Sequence, residues 1–470
     1  MEDMDDIIIW GAGKASLARC EWAVFAGYKI LFIIDNNSDL WGERLNDILI
    51  KAPEALKDYN CTILTSDMYF DEINAQLTKM GYVGRQIGFQ QFKKEAVSRN
   101  SVKINWSNVK IGNRSSFVFD AYFPKMNWGG TEEWSCMVAN AIAGLDVQTY
   151  MICGMNDKFD RFTSNCIHFE AEDEISMIGK MASKIAECLP CVFISHISIA
   201  LQAAYVVKAV FPEQINLIVV AHGDALYIYN YLSNWADRVD KIVCISEKIY
   251  SVLQEQYGLE PEKLIYKPNP IRIPTIANNR KINEKTLKIG FAARLARELK
   301  RTHLLCELIE VCIQKGLDVE FNIAGEGECL GLLKRYVTDK KLENRVHILG
   351  WILPTGMVAF WEEQDIYLNI SSSEGMCLAM LEAMACGCVP VVTDVSGVSD
   401  VIEDGKNGFV VSVDEWLDIV DKIEFISNNR EILYDVSKYN MKLIRNRFDV
   451  TDYAKWIIET FDTGFGVPVE

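Results

Sequence analysis

Along most of the chain, short apolar runs rich in β-branched residues alternate with longer stretches whose apolar residues recur every three or four positions. In the second half the runs are "LKIGFAA", "VEFNIAG", "VHILG", "DIYLNIS", "VPVVTD" and "GFVVSV", separated by stretches such as "THLLCELIEVCIQK" and "LGLLKRYVTDK". The middle repeats the theme with "SSFVFDAYF", "VQTYMICG", "CVFISH", "NLIVVAHG" and "KIVCIS". A continuous apolar run predicts a strand buried on both faces, and helical stretches between such strands predict parallel sheets covered by helices. The fold class is therefore α/β.

Two polar stretches interrupt the pattern. Residues 93–115, "KKEAVSRNSVKINWSNVKIGNRS", are weakly periodic and read as a linker, and residues 267–285 hold three prolines and little apolar content and read as a hinge. Three α/β units follow: 1–95, then 116–270 after a linker at 96–115, then 271–445. The last stretch, 446–470, contains "DYAKWIIETFDTGF", an amphipathic helix expected to pack back across the domains.

At 470 residues the chain is too long for one core, and with half its residues apolar it is globular rather than disordered. The net charge of −17 argues against nucleic acid as a partner and against nonspecific attraction to anionic lipid, so no nucleic acid partner is expected. The chain opens "MEDMDD", with no basic region before an apolar one, and no run approaches the ~20 apolar residues of a membrane span. A cytoplasmic location is expected, with a peripheral contact at the inner face of the membrane left open. The fourteen cysteines then read as reduced, buried thiols. Cys188 and Cys191 in "CLPC" have redox spacing, but "VFISH" after them reads as a strand, whereas a redox pair opens a helix; a structural role is favoured.

"DIYLNISSSEGMCLAMLEAMACG" is a buried strand entering a Ser/Gly loop and then a helix. Ligands of open parallel sheets bind at the carboxyl ends of the strands, and the following helix offers free N–H groups to an anion. Gly375 lets a ligand approach the backbone. If 374–382 is helical, Glu374 and Glu382 lie ~12 Å apart at ~1.5 Å per residue, about the span from a sugar across a diphosphate to a ribose. Each carboxylate can accept hydroxyl hydrogen bonds at one end of that span. The cations such a ligand needs are present in "FAARLARELKRTH", where Arg294, Arg297, Lys300 and Arg301 follow another strand end. The competing reading makes these four a solvated face and the glutamates helix surface; their joint placement on strand ends of one sheet favours a nucleotide-sugar clamp.

These residues resemble the donor site of family 4 retaining glycosyltransferases with the GT-B fold. "SSSEGMCLAMLEAMACGCVPVVTDVSGVSDVIEDGKNGFVV" carries the pattern of a Glu, seven residues, a second Glu and a "G-x-PVV" strand. "RLARELK" looks like the family's Arg/Lys pair for the diphosphate, which implies Arg294 and Lys300. The spacing is one residue longer than usual, so Arg297 or Arg301 could share the role of Lys300. "IAGEGE", containing Gly325, and "VHILGWI" match the next strand-end loops, placing the backbone of Trp351 and Ile352 beside the base. Ser373, Gly375, Met376 and Cys377 would line the donor, Cys377 standing where Gly or Pro is common. In the middle unit "NWGGTEEW" resembles the loop that reaches the phosphates, with Gly129 and Gly130. "VVAHGD" matches the active-site histidine, His222, and "IVCISE" the strand with Ser246. A histidine at a buried strand end is also ordinary core material; the glycine after His222 turns the reading toward the cleft, and His196 after "VFIS" is a second candidate. The resemblance covers roughly residues 116–460.

The resemblance implies two Rossmann-like domains facing a cleft, preceded by a small Rossmann-like domain. It implies retaining transfer of a hexose-type sugar from a nucleotide-diphosphate sugar to a glycan, lipid-linked or protein acceptor, in bacterial polysaccharide biosynthesis. Arg294, Lys300 and the Gly130 amide would hold the departing charge, Glu374 the sugar, Glu382 the ribose, and His222 would lie near the sugar or acceptor. No cofactor and no metal are expected, because a DxD at a strand end is absent. The alternatives are an epimerase or hydrolase of nucleotide-sugars on the same fold, and a silent binding or scaffold subunit.

Residues 6–95 open with "IIIWGAGKASLA" and "KILFIIDNN", a strand, a Gly turn, a helix and a second strand ending at Asp35. Gly11, Gly13 and Asp35 suit a dinucleotide site, but Ser16 stands at the third glycine position. A packing module without ligand is the first reading, nucleotide binding the second and oxidoreduction a distant third.

Overall fold

The computed structural model describes residues 5–13, 16–45, 47–100, 106–107, 109–121, 129–153, 165–169, 174–275 and 286–462. Three sheets organise them. The first has six strands in the order Arg44–Leu45, Ile48–Lys51, Lys29–Ile34, Asp6–Trp10, Thr62–Thr65, Gln86–Gly88, parallel except for the first pair. The second has seven parallel strands: Leu264–Tyr266, Lys241–Cys244, Ile215–Ala221, Cys191–Ser195, Ser116–Ala121, Thr149–Cys153, Asn165–His168. The third has six parallel strands: Val346–Gly350, Val319–Ala324, Leu287–Ala292, Ile366–Asn369, Val389–Thr393, Phe409–Val411.

The central strands are buried on both faces because they carry no polar alternation: Phe117, Val118, Phe119, Leu217, Ile218 and Val219 are fully enclosed. Each sheet reverses its strand order beside its first strand. The reversal falls between Ser116–Ala121 and Cys191–Ser195 in the second sheet, and between Leu287–Ala292 and Ile366–Asn369 in the third. Those switch points leave crevices at the carboxyl ends of the strands.

The chain passes between the second and third units twice, side by side. Ile271 N donates to Phe448 O at 2.7 Å and Val450 N to Ile271 O at 3.0 Å. The helix Val450–Phe461 then returns to the second unit. Asp449 caps it through Thr451 N at 2.6 Å, and Val450, Tyr453, Ala454, Ile457 and Phe461 form its buried stripe. Tyr453 meets Trp134 at 6.0 Å between ring centroids, and Asn216 Nδ2 donates to Phe461 O at 3.1 Å.

One expectation is corrected here. The polar stretch beginning at 93 starts inside a helix, Phe89–Asn100, rather than in a linker. Lys93 and Lys94 are buried: Lys93 Nζ lies 4.9 Å from the Trp22 ring, and Lys94 Nζ pairs with Asp237 at 2.7 Å. Lysine stems laid along aromatic faces count as polar in composition while packing as apolar matter.

Candidate active site

The strand Ile366–Asn369 delivers the loop Ser371–Cys377 to the crevice of the third sheet. Asn369 Oδ1 accepts from Ser371 N at 2.7 Å, Thr393 Oγ1 donates to Ser371 O at 2.7 Å, and Ser372 N donates to Leu299 O at 2.8 Å. The helix begins only at Leu378 and runs to Ala385, with Cys377 as its cap. The expected helix start at Ser373–Gly375 is therefore corrected, and the helical rise does not separate Glu374 from Glu382. The reason is tertiary. This loop reaches the opposite unit: Ser373 Oγ donates to Asp224 O at 2.8 Å, and Asn269 Nδ2 donates to Met376 O at 3.1 Å. A β-carbon on Gly375 would overlap the His222 carbonyl oxygen. A helical turn at 374 would withdraw these contacts.

Glu374 Oε1 is ion-paired with Lys300 and accepts from Ser371 Oγ at 2.7 Å. The two side chains are 11% and 20% exposed, so the pair is shielded from solvent. Burial opposes the charge on Lys300, but the Glu374 carboxylate outweighs it and the ammonium pKa is raised; the like charge of Arg294 works against it. Arg294 and Arg297 are exposed, and the Arg297 amide is held by Glu328 at 2.7 Å. Two of the three Arg301 guanidinium nitrogens are taken up by backbone carbonyls. Its left-handed backbone, φ 47°, turns the side chain back, so that Nε donates to Ile370 O at 2.7 Å and Nη1 to Val413 O at 2.9 Å. It braces the loop. Gly325 and Gly327 press on the same loop: a β-carbon on Gly325 would overlap Ala293 O, and one on Gly327 would lie 2.6 Å from Leu295 O. Trp351 is exposed, and Ile352 is half-buried against the main core.

From the other unit comes the helix Gly130–Ala143, capped by Gly129, whose amide donates to Glu132 Oε2 at 2.9 Å. A β-carbon on Gly130 would lie 3.7 Å from Leu378 Cδ1, so the positive ends of two helices meet across the crevice. Further along the Leu378 helix, burial raises the Glu382 pKa to about 8; Glu133 adds to the rise and Arg272 opposes it.

His222 follows the strand Ile215–Ala221, half-buried, with its ring 5.2 Å from that of Trp134. Burial lowers its pKa to about 3, so the imidazole is neutral. His196 is brought beside it, ring centroids 4.6 Å apart. Ser246 Oγ meets Ser396 Oγ at 2.7 Å, while Glu247 N and Tyr266 OH donate to Asp400 at 2.9 and 3.1 Å. Asp224, Asn269, Ser396 and Asp400 thus join the two units, and pattern reasoning assigned none of them. Asp224 stood in "VVAHGD" and Asn269 in the hinge, but a single polar residue in a loop carries no sign of the partner it will meet.

In the first unit the Gly turn is built as expected, with Gly11 at φ 97°. Both Asp35 oxygens are occupied by backbone, Oδ2 by Ala12 N at 2.7 Å and Oδ1 by Asn37 N at 2.8 Å. Gly13 is exposed. Among the described residues no group of three or more His, Cys, Asp or Glu could hold a metal ion, and no helix is long and apolar enough to cross a membrane. Among the described residues none of the fourteen cysteines is in a disulfide; burial pushes the Cys188 thiol up to about 12 and Cys191 well above its ordinary value.

Residues 273–443 match the family described as Glycosyl transferases group 1, and residues 3–88 match the one described as C2185-like, N-terminal. The chain is 28% identical over 235 residues to a poly(ribitol-phosphate) alpha-N-acetylglucosaminyltransferase of Staphylococcus aureus, covering 48% of this chain and 45% of that protein. It is 24% identical over 236 residues to the UDP-Gal:alpha-D-GlcNAc-diphosphoundecaprenol alpha-1,3-galactosyltransferase of Escherichia coli, covering 47% of this chain and 60% of that one. These alignments span less than two thirds of either relative. The pneumococcal O-GlcNAc transferase GtfA, solved with UDP and GlcNAc, superposes with a TM-score of 0.61 at 14% identity over 75% of this chain and 99% of that one. The fold is GT-B: two parallel-sheet lobes facing a cleft, with a further α/β unit in front.

Proposed function

We propose that this chain is a glycosyltransferase that moves a hexose-type sugar from a nucleotide-diphosphate sugar to a glycan, lipid-linked or protein acceptor, with retention and without a metal. One observation carries the reading. The Glu374–Lys300 pair stands at the switch point of the third sheet, on a loop whose Gly375 touches His222 of the opposite lobe. A uridine diphosphate donor is favoured, since the GtfA structure holds UDP and GlcNAc and the E. coli relative is named for a UDP-sugar. The names of the two relatives support a polymeric or lipid-linked acceptor. Retention follows the family whose motifs the chain resembles.

The roles follow from charge. The facing helix ends at Gly130 and Leu378, with Arg294 and Lys300, offer donors where the diphosphate charge develops. Lys300 is ion-paired with Glu374. Donor binding exchanges partners: Lys300 turns to phosphate, and Glu374 is released to accept sugar hydroxyls and to balance the oxocarbenium-like centre. Gly129 and the 373–377 loop line the donor, Trp351 and Ile352 flank the base, Gly325 lets its loop approach, and Glu382 takes the ribose. Neutral His222 accepts from a hydroxyl of donor or acceptor. Closing the lobes excludes water from the bond that breaks.

The test uses the full chain with UDP-GlcNAc, UDP-glucose and UDP-galactose, with EDTA and with a lipid-linked or polyol-phosphate acceptor. Acceptor-dependent UDP release and an α-linked product are expected. Failure of every UDP-, GDP- and ADP-sugar both to raise the melting temperature and to be consumed would overturn the reading.

A further inference from the structure

Behind His222 lies a polar network that the sugar-transfer reading leaves unused. His196 is 3% exposed, and its ring is inclined at 62° to that of His222. Trp134 stands edge-on to both rings, 5.5 Å from His196 and 5.2 Å from His222. Asp120 holds the loop that carries His196: its Oδ2 accepts from Ser195 Oγ, from Ser198 Oγ at 2.8 Å and from His196 N at 3.3 Å.

The proton positions follow from the donor inventory. Ser135 Oγ has one proton and donates it to Asp120 O at 3.1 Å. With the Ser135 proton on Asp120 O, Ser135 Oγ accepts at 2.6 Å from His196 Nε2, the contact whose donor and acceptor roles depend on the tautomer. His196 Nδ1 is then a bare lone pair, buried with no partner. His222 Nε2, on the neighbouring ring, is likewise buried with no partner. Buried polar atoms are rarely left unpaired, and these two belong to rings whose centroids lie 4.6 Å apart.

We propose that His196 is a positioning residue for His222: its bare Nδ1 receives the His222 Nε2 proton, Ser135 holds the tautomer, and His222 is left with Nδ1 as the lone-pair acceptor for a hydroxyl in the cleft. This rests on the role given to His222 above. His196 touches no substrate; it decides which nitrogen of its neighbour does.

The test is 15N spectroscopy of the full chain labelled at its histidines, beside steady-state kinetics. The wild type is expected to show His222 as a single tautomer, protonated at Nε2. His196→Phe, which fills the space without an acceptor, should give a tautomer mixture at His222. Its kcat should fall by about tenfold or more while the donor KM stays within about twofold. His196→Gln, whose amide oxygen can accept, should recover part of both. Ser135→Ala reaches the same signals through the tautomer of His196, should His196→Phe not fold. A His222 tautomer unchanged in His196→Phe, or in Ser135→Ala where only that variant folds, overturns the proposal. If no sugar is transferred by the wild type, the transferase reading fails while the tautomer signals still decide the role of His196.

Discussion

Gly375 and His222 touch backbone to backbone across the cleft, so closely that a single β-carbon on Gly375 would overlap the His222 carbonyl oxygen. The contact joins the loop that carries Glu374 to the strand end that carries the neutral imidazole. The Gly397 turn, φ 79°, backs it: a β-carbon there would lie 2.7 Å from Gly375 O. Gly375 is therefore required by space, and the alanine variant should hold the lobes apart. Gly375→Ala is expected to lose transfer by about a hundredfold or more, with an increased radius of gyration in X-ray scattering. Wild-type turnover in that variant would show the contact to be dispensable.

Glu374→Gln keeps the shape and removes the charge facing Lys300. Breaking a buried pair from one side costs about 3–5 kcal/mol in general, so the melting temperature should drop by several degrees. Transfer should vanish, yet UDP should bind as well as before or more tightly, because Lys300 no longer has to leave a carboxylate. Calorimetry with UDP decides it: weaker UDP binding would mean that Glu374 does not compete for Lys300.

Glu382 gives a pH dependence of unusual sign. Its pKa is raised from 4.5 to about 8 in the fold, so between those values the native state binds more protons than the unfolded chain. Stability from this group is full below about pH 4.5 and falls as pH rises toward 8. Glu382→Gln should be more stable than the wild type at pH 8 and little different at pH 5. Melting curves at both pH values check this, and an equal shift at both would rule out the mechanism.

The histidines act in the opposite sense. Burial lowers His222 from 6.5 to about 3, and His196 well below its ordinary value. Both must gain protons on unfolding below about pH 6.5, so their contribution is present above that pH and is lost as pH falls toward 3. His222→Gln should flatten the acid limb of the stability profile. An unaltered acid limb would place the titrating groups elsewhere.

Asp35 caps its own loop through the amides of Ala12 and Asn37. Asp35→Ala should cost about 1–2 kcal/mol of stability by leaving those amides unpaired, and leave transfer by the two lobes unchanged. Loss of turnover without loss of stability would instead assign the carboxylate to a ligand.

Much of the site was legible because its chemistry is local. Glu374, Glu382 and the "RLARELK" loop stand out as charges beside apolar strands, and a strand followed by a Ser/Gly loop and a helix marks a ligand-facing edge. Helical spacing suggests a helix back to Glu374, whereas the helix begins at Leu378 and the loop before it bonds to the other lobe. The sequence groups Arg301 with the other cations of its loop, and carries no sign that its Nε and Nη1 donate to the carbonyls of Ile370 and Val413. Lys93 and Lys94 read as linker by composition, while aromatic rings and Asp237 hold them inside.

Apolar periodicity was enough to establish parallel α/β sheets, because a strand covered on both faces must be apolar at every position and a helix only along one stripe. Glycine and charge placement was enough to single out a candidate site at a strand end. Which lysine meets which glutamate, how Gly375 comes to lie on His222, and which hydroxyl meets His196 were decided only by tertiary packing, the first and last within one lobe and the second between lobes, since each joins residues more than sixty positions apart in the chain. Such contacts leave no period in the sequence: they arise from the spatial meeting of two surfaces, each of which reads as ordinary when taken alone.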